Sequence, residues 1–269
     1  MFVTRLLSGV VLVIIAFISF FIGAPVLPLV LLGVSLVGYR ELMKALGISK
    51  SALEKAGFAG TVLYYLVILA ADLGYLQMSA DFALIFMVVV FLVELLVYVL
   101  TFPKYQAEQT AEAVFAWLYV PVMLSFIDFT RMLEHGRHLV WLVLICSWGC
   151  DTFAYCVGKL IGKKKIFPVL SPKKSLEGCI GGVLGAALLA GLYGYFLLKE
   201  EPVWVMAVIG AAGALISMAG DLAASAIKRN KGIKDYGKLI PGHGGIMDRF
   251  DSVIVTAPVV YFLSVLLFG

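Results

Sequence analysis

Charge is scarce in this chain. Only 14% of its 269 residues are charged, 21 basic and 17 acidic, against about 25% in ordinary soluble domains. So few charges cannot cover the water-facing surface of a soluble protein this long, and the mean hydropathy of +1.03 agrees. Cysteine is scarce too. There are four, three of them inside apolar runs, which excludes a disulfide-built secreted scaffold and suggests small packing residues. Cys146 and Cys150 stand four apart, but no zinc-ligand pattern of histidines or further cysteines accompanies them, so no zinc site is credible. A Walker A loop, a dinucleotide-binding glycine fingerprint and a Gly-x-Ser-x-Gly elbow are all missing. There is no low-complexity segment and no repeat of solenoid period. Intrinsic disorder is excluded by the 62% of hydrophobic residues.

What the chain has in quantity is long apolar runs, which make it a polytopic membrane protein. A bilayer core needs roughly 20 apolar residues per helix, whereas outer-membrane strands alternate in segments of about ten. The runs predict nine spans in an all-α fold, near 6–23, 25–39, 58–75, 82–101, 111–130, 139–160, 177–198, 203–227 and 251–268. The first two meet at the corner Gly23-Ala24-Pro25 and are expected to form a hairpin. The first has a basic start at Arg5 but no small-residue cleavage site after it, so it is read as a retained helix.

The loops give orientation. With the N-terminus in the cytoplasm, 18 of the 21 basic residues fall on the cytoplasmic side, leaving Arg131, Arg137 and Lys199 opposite. The C-terminus then lies on the far side. Two regions differ in character: 1–140 has spans with ordinary loops, and 141–269 carries the basic loops and the unusual acids. A cavity facing the cytoplasm is expected in the second.

Asp151 and Asp221 fall inside the sixth and eighth spans. A carboxylate at the centre of a span costs about 2.5–3.5 kcal/mol on insertion scales, so it normally faces a polar cavity or a partner. A structural pair with a basic residue is one reading; cation binding or catalysis is the stronger one. Glu94 and Asp128 have no chemical neighbours in sequence and are expected to make helix-packing hydrogen bonds or to sit at the interface.

Asp221, Ser225 and Lys228 share one helix face, flanked by Arg229. Beyond them come Pro241-Gly242-His243-Gly244-Gly245 and then Asp248-Arg249-Phe250-Asp251. Glycines beside a histidine let a backbone approach a ligand, and successive N–H groups can cradle phosphate. Asp248 and Asp251 are three apart at a helix start, so both carboxylates can point to one spot. Paired acids among Lys and Arg suggest a divalent cation held with a polyphosphate, since Mg2+ favours few carboxylates plus substrate oxygens. A second basic loop reads Lys163-Lys164-Lys165, then Ser171-Pro172-Lys173-Lys174-Ser175-Leu176-Glu177-Gly178. The triple lysine alone would only attract anionic lipid. Ser175 with Glu177 can cap the helix that follows, whose N-terminus suits an anion.

These residues resemble a known signature. Ser225-x-x-Lys228-Arg229, Lys234-Asp235 and Pro241-Gly242-His243-Gly244-Gly245-x-x-Asp248-Arg249-x-Asp251 look like that of the phosphatidate cytidylyltransferases, or CDP-diacylglycerol synthases. The Ser-Pro-Lys-Lys-Ser-Leu-Glu-Gly string is similar to that family's Ser-Pro-Lys-Lys-Thr-Trp-Glu-Gly. Ser replaces Thr, which keeps the hydroxyl, and Leu replaces Trp, which alters packing. Asp151, Ala154 and Tyr155 stand where the family carries Asp-x-x-Ala-Tyr. The likeness covers about 147–251; before it, only hydropathy matches.

The resemblance implies an inner-membrane enzyme, often dimeric, that makes CDP-diacylglycerol and pyrophosphate from CTP and phosphatidate with Mg2+, leaving room for a second cation. It implies metal held by Asp221 and Asp248, with Asp251 or Asp151 nearby. Lys173, Lys174, Lys228 and Arg229 would hold phosphates; Ser175, Ser225, His243, Gly244, Gly245 and Arg249 complete the substrate contacts. No nucleic-acid partner is expected. A CTP-dependent polyprenol kinase and a membrane transporter are the alternatives. A CDP-alcohol phosphatidyltransferase is set aside because its Asp-Gly-x-x-Ala-Arg core is missing.

Overall fold

The computed structural model describes residues 2–78, 81–198, 202–240, 242 and 244–268, with side chains from Ser8 onward. His243 and Pro241 therefore lie outside the described residues. Nine long helices account for the fold: α1 Phe2–Ile22, α2 Val26–Leu46, α3 Ala52–Asp72, α4 Phe82–Leu100, α5 Ala107–Met132, α6 Gly136–Ile161, α7 Leu176–Leu197, α8 Val203–Asn230 and α9 Met247–Phe268. Eight of these, α2 to α9, are long and apolar enough to cross a membrane; α1 is an apolar helix described fully only over Ser8–Ile22. Among the described residues there are no strands, only isolated bridges pairing Lys165 with Ser175 and Ile240 with Gly244. The chain is an all-α polytopic membrane protein.

The corner after α1 is as expected: Gly23 takes a positive φ of 74°, and α2 starts three residues later. At its other end α2 runs well past the apolar stretch, through Arg40, Glu41 and Lys44, to a left-handed Gly47. Hydropathy stops at the membrane boundary, whereas a helix stops at its cap, here with the Gly47 and Ile48 N–H groups returned to Lys44 and Met43. For the same reason α9 starts at Met247, ahead of its apolar run.

The chain forms two compact units that interleave in sequence. One comprises Met1–Ser125 with Ile233–Asp248, the other Phe126–Gly232 with Arg249–Gly269. The division expected near residue 140 does not coincide with this one, because the return stretch 233–248 packs with the N-terminal helices.

In the first unit the core is aromatic. Tyr64 stacks on Phe82 at 5.2 Å and meets Trp117 edge-on at 5.6 Å. Its hydroxyl lies 2.8 Å from Ser125 Oγ, and the Tyr65 hydroxyl donates to the Pro121 carbonyl at 3.0 Å. Pro121 sits in a π-helical stretch, Leu118–Val122, within α5. Such bulges leave carbonyls without their helical donor, and Tyr65 supplies one where lipid cannot. α4 turns only Phe82, Val90 and Glu94 inward. Glu94 is completely buried, yet neither carboxylate oxygen has a hydrogen-bond partner, so the helix-packing bond expected for it is not made. Asp128, at 1% exposure, is buried rather than interfacial.

In the second unit α7 packs against α6 and α8 through small residues. A Cβ on Gly182 would meet Cys150 and Ala154 on α6 at 3.0 Å, and one on Gly210 of α8 would meet Ala190 at 2.7 Å. Small residues let membrane helices come this close. All four cysteines are free. Cys146 and Cys150 are buried packing residues whose Sγ atoms face the Ile209 and Ala214 carbonyls.

Candidate functional site

The second unit gathers acids and bases at one end of α6, α7, α8 and α9. A second π-helical stretch, Ile145–Gly149, immediately precedes Cys150 and Asp151 in α6. Asp151 opens onto a cavity of about 470 Å³. Lys159, Lys165, Lys173, Lys174 and Ser175 also line it, while Ala154, Gly158, Cys179 and Met218 give it an apolar side. The Lys174 ammonium pairs with Asp221 of α8 at 2.6 Å. Asp221 thus does have the structural partner that one reading of the sequence called for. The pair is not sealed, however: the two side chains keep 20% and 28% of their surface.

Around this pair the charges accumulate. Asp151 interacts electrostatically with Asp221, Lys174 and Arg249. Asp251, 9% exposed, interacts with Asp221, Lys228 and Asp151. The structure therefore brings together Asp151, Asp221 and Asp251 with Lys174, Lys228 and Arg249. Ser225 lies half-buried one turn beyond Asp221, and Arg229 is exposed near the end of α8. Among the described residues no three acids, histidines or cysteines form a ready-made metal cage. The donors are nonetheless hard oxygens beside lysine and arginine side chains. That set suits a cation that keeps most of its coordination for substrate oxygens and water.

The lysine loop is built by its own hydrogen bonds. Glu177 accepts the Lys163 N–H at 3.0 Å and that of Lys164 at 3.3 Å. Leu176 N–H donates to the Lys164 carbonyl at 2.8 Å, and Lys165 Nζ reaches the Lys173 carbonyl at 3.1 Å. These bonds lay Lys163–Lys165 alongside Lys173–Ser175. Ser175, 2% exposed, caps α7 as expected, its Oγ accepting the Gly178 N–H at 3.2 Å.

The glycine loop belongs to the first unit. Ile240 N–H donates to the Gly244 carbonyl at 2.8 Å and closes the turn, in which Gly242 and Gly244 take φ of 78° and 87°. Only glycine adopts those values readily. Asp248 Oδ2 accepts the N–H groups of Tyr236 and Gly245, at 2.8 and 3.0 Å. Met247 N–H donates to Glu41 Oε2 at 2.9 Å. The Gly245 amide, one of those the glycine pattern offered to phosphate, is thus given to a carboxylate of the protein itself, as is that of Met247.

Glu41 was missed in the sequence because it sits among Arg40 and Lys44, where a charge needs no special explanation. Its position five residues before the end of an apolar helix was the only signal. Lys159 and Lys165 were likewise read only as loop charges.

The profile of the cytidylyltransferase family matches residues 3–267. A phosphatidate cytidylyltransferase of Bacillus subtilis is 27% identical over 263 residues, 97% of both chains. One of Rickettsia felis is 38% identical over 158 residues, 55% of this chain and 68% of that protein. One of Staphylococcus aureus is 37% identical over 144 residues, 54% of this chain and 55% of that protein.

Proposed function

The chain belongs to the cytidylyltransferase family, and on that premise we propose that it is a CTP:phosphatidate cytidylyltransferase. It transfers the cytidylyl group of CTP to phosphatidate, giving CDP-diacylglycerol and pyrophosphate. The observation that carries this assignment to the site is the Lys174–Asp221 pair at a cavity with basic and apolar sides.

A phosphatidate oxygen attacks the α-phosphorus of CTP in line, and pyrophosphate leaves. No strong general base is needed, because a phosphate monoester is already ionised near pH 7. Lys173, Lys174, Lys228 and Arg229 hold the phosphates of the two substrates. Asp151, Asp221 and Asp251 are the acids that would hold Mg2+. Asp248, one turn before Asp251, is the fourth candidate, oriented by its two amide bonds as ligating carboxylates are. Bound Mg2+ supplies charge neutralisation on the phosphates. Lys174 keeps Asp221 neutralised until a triphosphate arrives to claim the ammonium.

The transfer is direct, without a cytidylyl-enzyme. A covalent route needs an activated nucleophile with a base in reach, and the Ser175 oxygen is buried and already accepts a cap bond. The basic loops and the cavity face the cytoplasm, where CTP is made, and the enzyme sits in the inner membrane as a homodimer. The test is purified protein with phosphatidate, Mg2+ and CTP labelled at either end. Label from the α-phosphate should enter lipid, label from the γ-phosphate should leave as pyrophosphate, and chelation should stop both. Transfer of γ-label to lipid would overturn the assignment.

A further inference from the structure

We infer that Glu41, far from the signature in sequence, is a positioning residue that moulds the glycine loop; its role in turnover rests on the activity proposed above. Glu41 lies on α2 with only 8% of its surface exposed. Its carboxylate accepts N–H groups from Met247, at 2.9 Å, and from Ile246. It also fills the space beside two glycines of the loop. A Cβ on Gly237 or on Gly245 would collide with the Glu41 carboxylate. Gly237 and Gly245 themselves are close, a Cβ on the former falling 3.1 Å from the Cα of the latter.

Four features of the loop thus converge on one side chain. The two amides at the start of α9 need an acceptor, because a buried N–H group without one destabilises a fold. The two glycines are needed because any larger residue would displace that acceptor. Asp248 holds the loop from its other side through Tyr236 and Gly245, and it lies close enough to Glu41 for their charges to interact, with Lys44 as the compensating cation. A carboxylate therefore occupies the place among loop amides that the glycine pattern suggested for a substrate phosphate. The loop presents Gly244 from a backbone already fixed, and α9 begins at the amides that Glu41 binds. Glu41 touches no reacting atom and acts through the loop.

The experiment uses full-length protein in detergent: wild type, Glu41→Gln, Glu41→Ala, Gly245→Ala and the double variant Glu41→Ala with Gly245→Ala. Glu41→Ala should lower kcat at least about tenfold, with the KM for phosphatidate within about twofold and the same gel-filtration profile. Glu41→Gln, which keeps one acceptor oxygen, should fall between. The double variant should be no slower than the slower single one, since both changes strike the same contact. Hydrogen exchange at Ile246 and Met247 should quicken at least about tenfold in Glu41→Ala, whatever the activity. A purely structural Glu41 would lower the thermal midpoint and leave kcat per folded molecule unchanged. That outcome, losses that multiply in the double variant, or unchanged exchange would each overturn the inference. Wild type that is inactive with CTP and phosphatidate, but whose loop exchange still depends on Glu41, would overturn the proposed activity and leave the moulding role standing. Should Glu41→Ala fail to fold, exchange and kcat of Glu41→Gln decide.

Discussion

Lys174 Nζ lies 2.6 Å from Asp221 Oδ2, although the two residues come from a loop and a helix 47 positions apart in sequence. The two side chains keep 20% and 28% of their surface, but the ammonium nitrogen itself is buried, so its desolvation offsets much of the attraction and the pair adds little net stability. Their importance must then show in turnover. Asp221→Asn and Lys174→Met should each leave the thermal midpoint within about 3 °C and lower kcat at least about a hundredfold, roughly 2.7 kcal/mol of barrier. Activity of Asp221→Asn within about threefold of wild type, roughly 0.7 kcal/mol, would remove that residue from the machinery.

Asp248 should behave differently, because its Oδ2 holds two loop amides. Asp248→Ala should lose both activity and stability, the latter by about 1–3 kcal/mol for amides left unpaired. Thermal melts of this variant beside Asp221→Asn would check this. An Asp248→Ala midpoint equal to that of wild type would show that the loop does not depend on it.

Ser175→Ala removes a helix cap and should destabilise by about 1 kcal/mol while retaining at least about a tenth of wild-type kcat. A nucleophile could not be lost so cheaply. The companion measurement is isotope exchange: enzyme stripped of lipid, given CTP, Mg2+ and labelled pyrophosphate but no phosphatidate, should return almost no label to CTP. Exchange at a rate comparable to turnover would mean a covalent intermediate and defeat direct transfer.

Orientation can be read by chemistry at two loop positions. Single cysteines at Lys164 and Lys238, in a background without the native four, should resist a membrane-impermeant maleimide added outside intact cells and react once the membrane is opened. Labelling of either from outside would invert the proposed topology.

The helices were legible because a bilayer demands long apolar runs, and these are visible without any knowledge of packing. Their ends were less so. α2 continues to Gly47 and α9 starts at Met247, since caps and charged turns decide ends while hydropathy reports only the membrane. At the site, Asp151 and Asp221 stood out because acids in spans are expensive, and Asp251 because it stands three residues from Asp248 at a helix start; the structure gathers these three. The Lys174 partner of Asp221 could not be named from sequence, because several lysines were equally placed. Glu41 was hidden by ordinary surroundings, and the carboxylate that takes the Gly245 amide could not be named: glycines announce close approach without saying whether ligand or protein approaches. The return of 233–248 to the N-terminal unit leaves no mark in composition at all.

The bond from Met247 to Glu41 spans 206 residues, which sets an order of events during synthesis. At about 5–20 residues per second, the acceptor waits on the order of 10–40 seconds for its donors to leave the ribosome. Through that interval α2 carries a carboxylate whose eventual pocket does not yet exist, and the N-terminal unit stays open until the penultimate stretch of chain has been made. A nascent chain halted after α8 would have its membrane helices in place and still lack the piece that closes its first unit. Maturation of this enzyme is thus timed by its last helix, however early the others enter the bilayer.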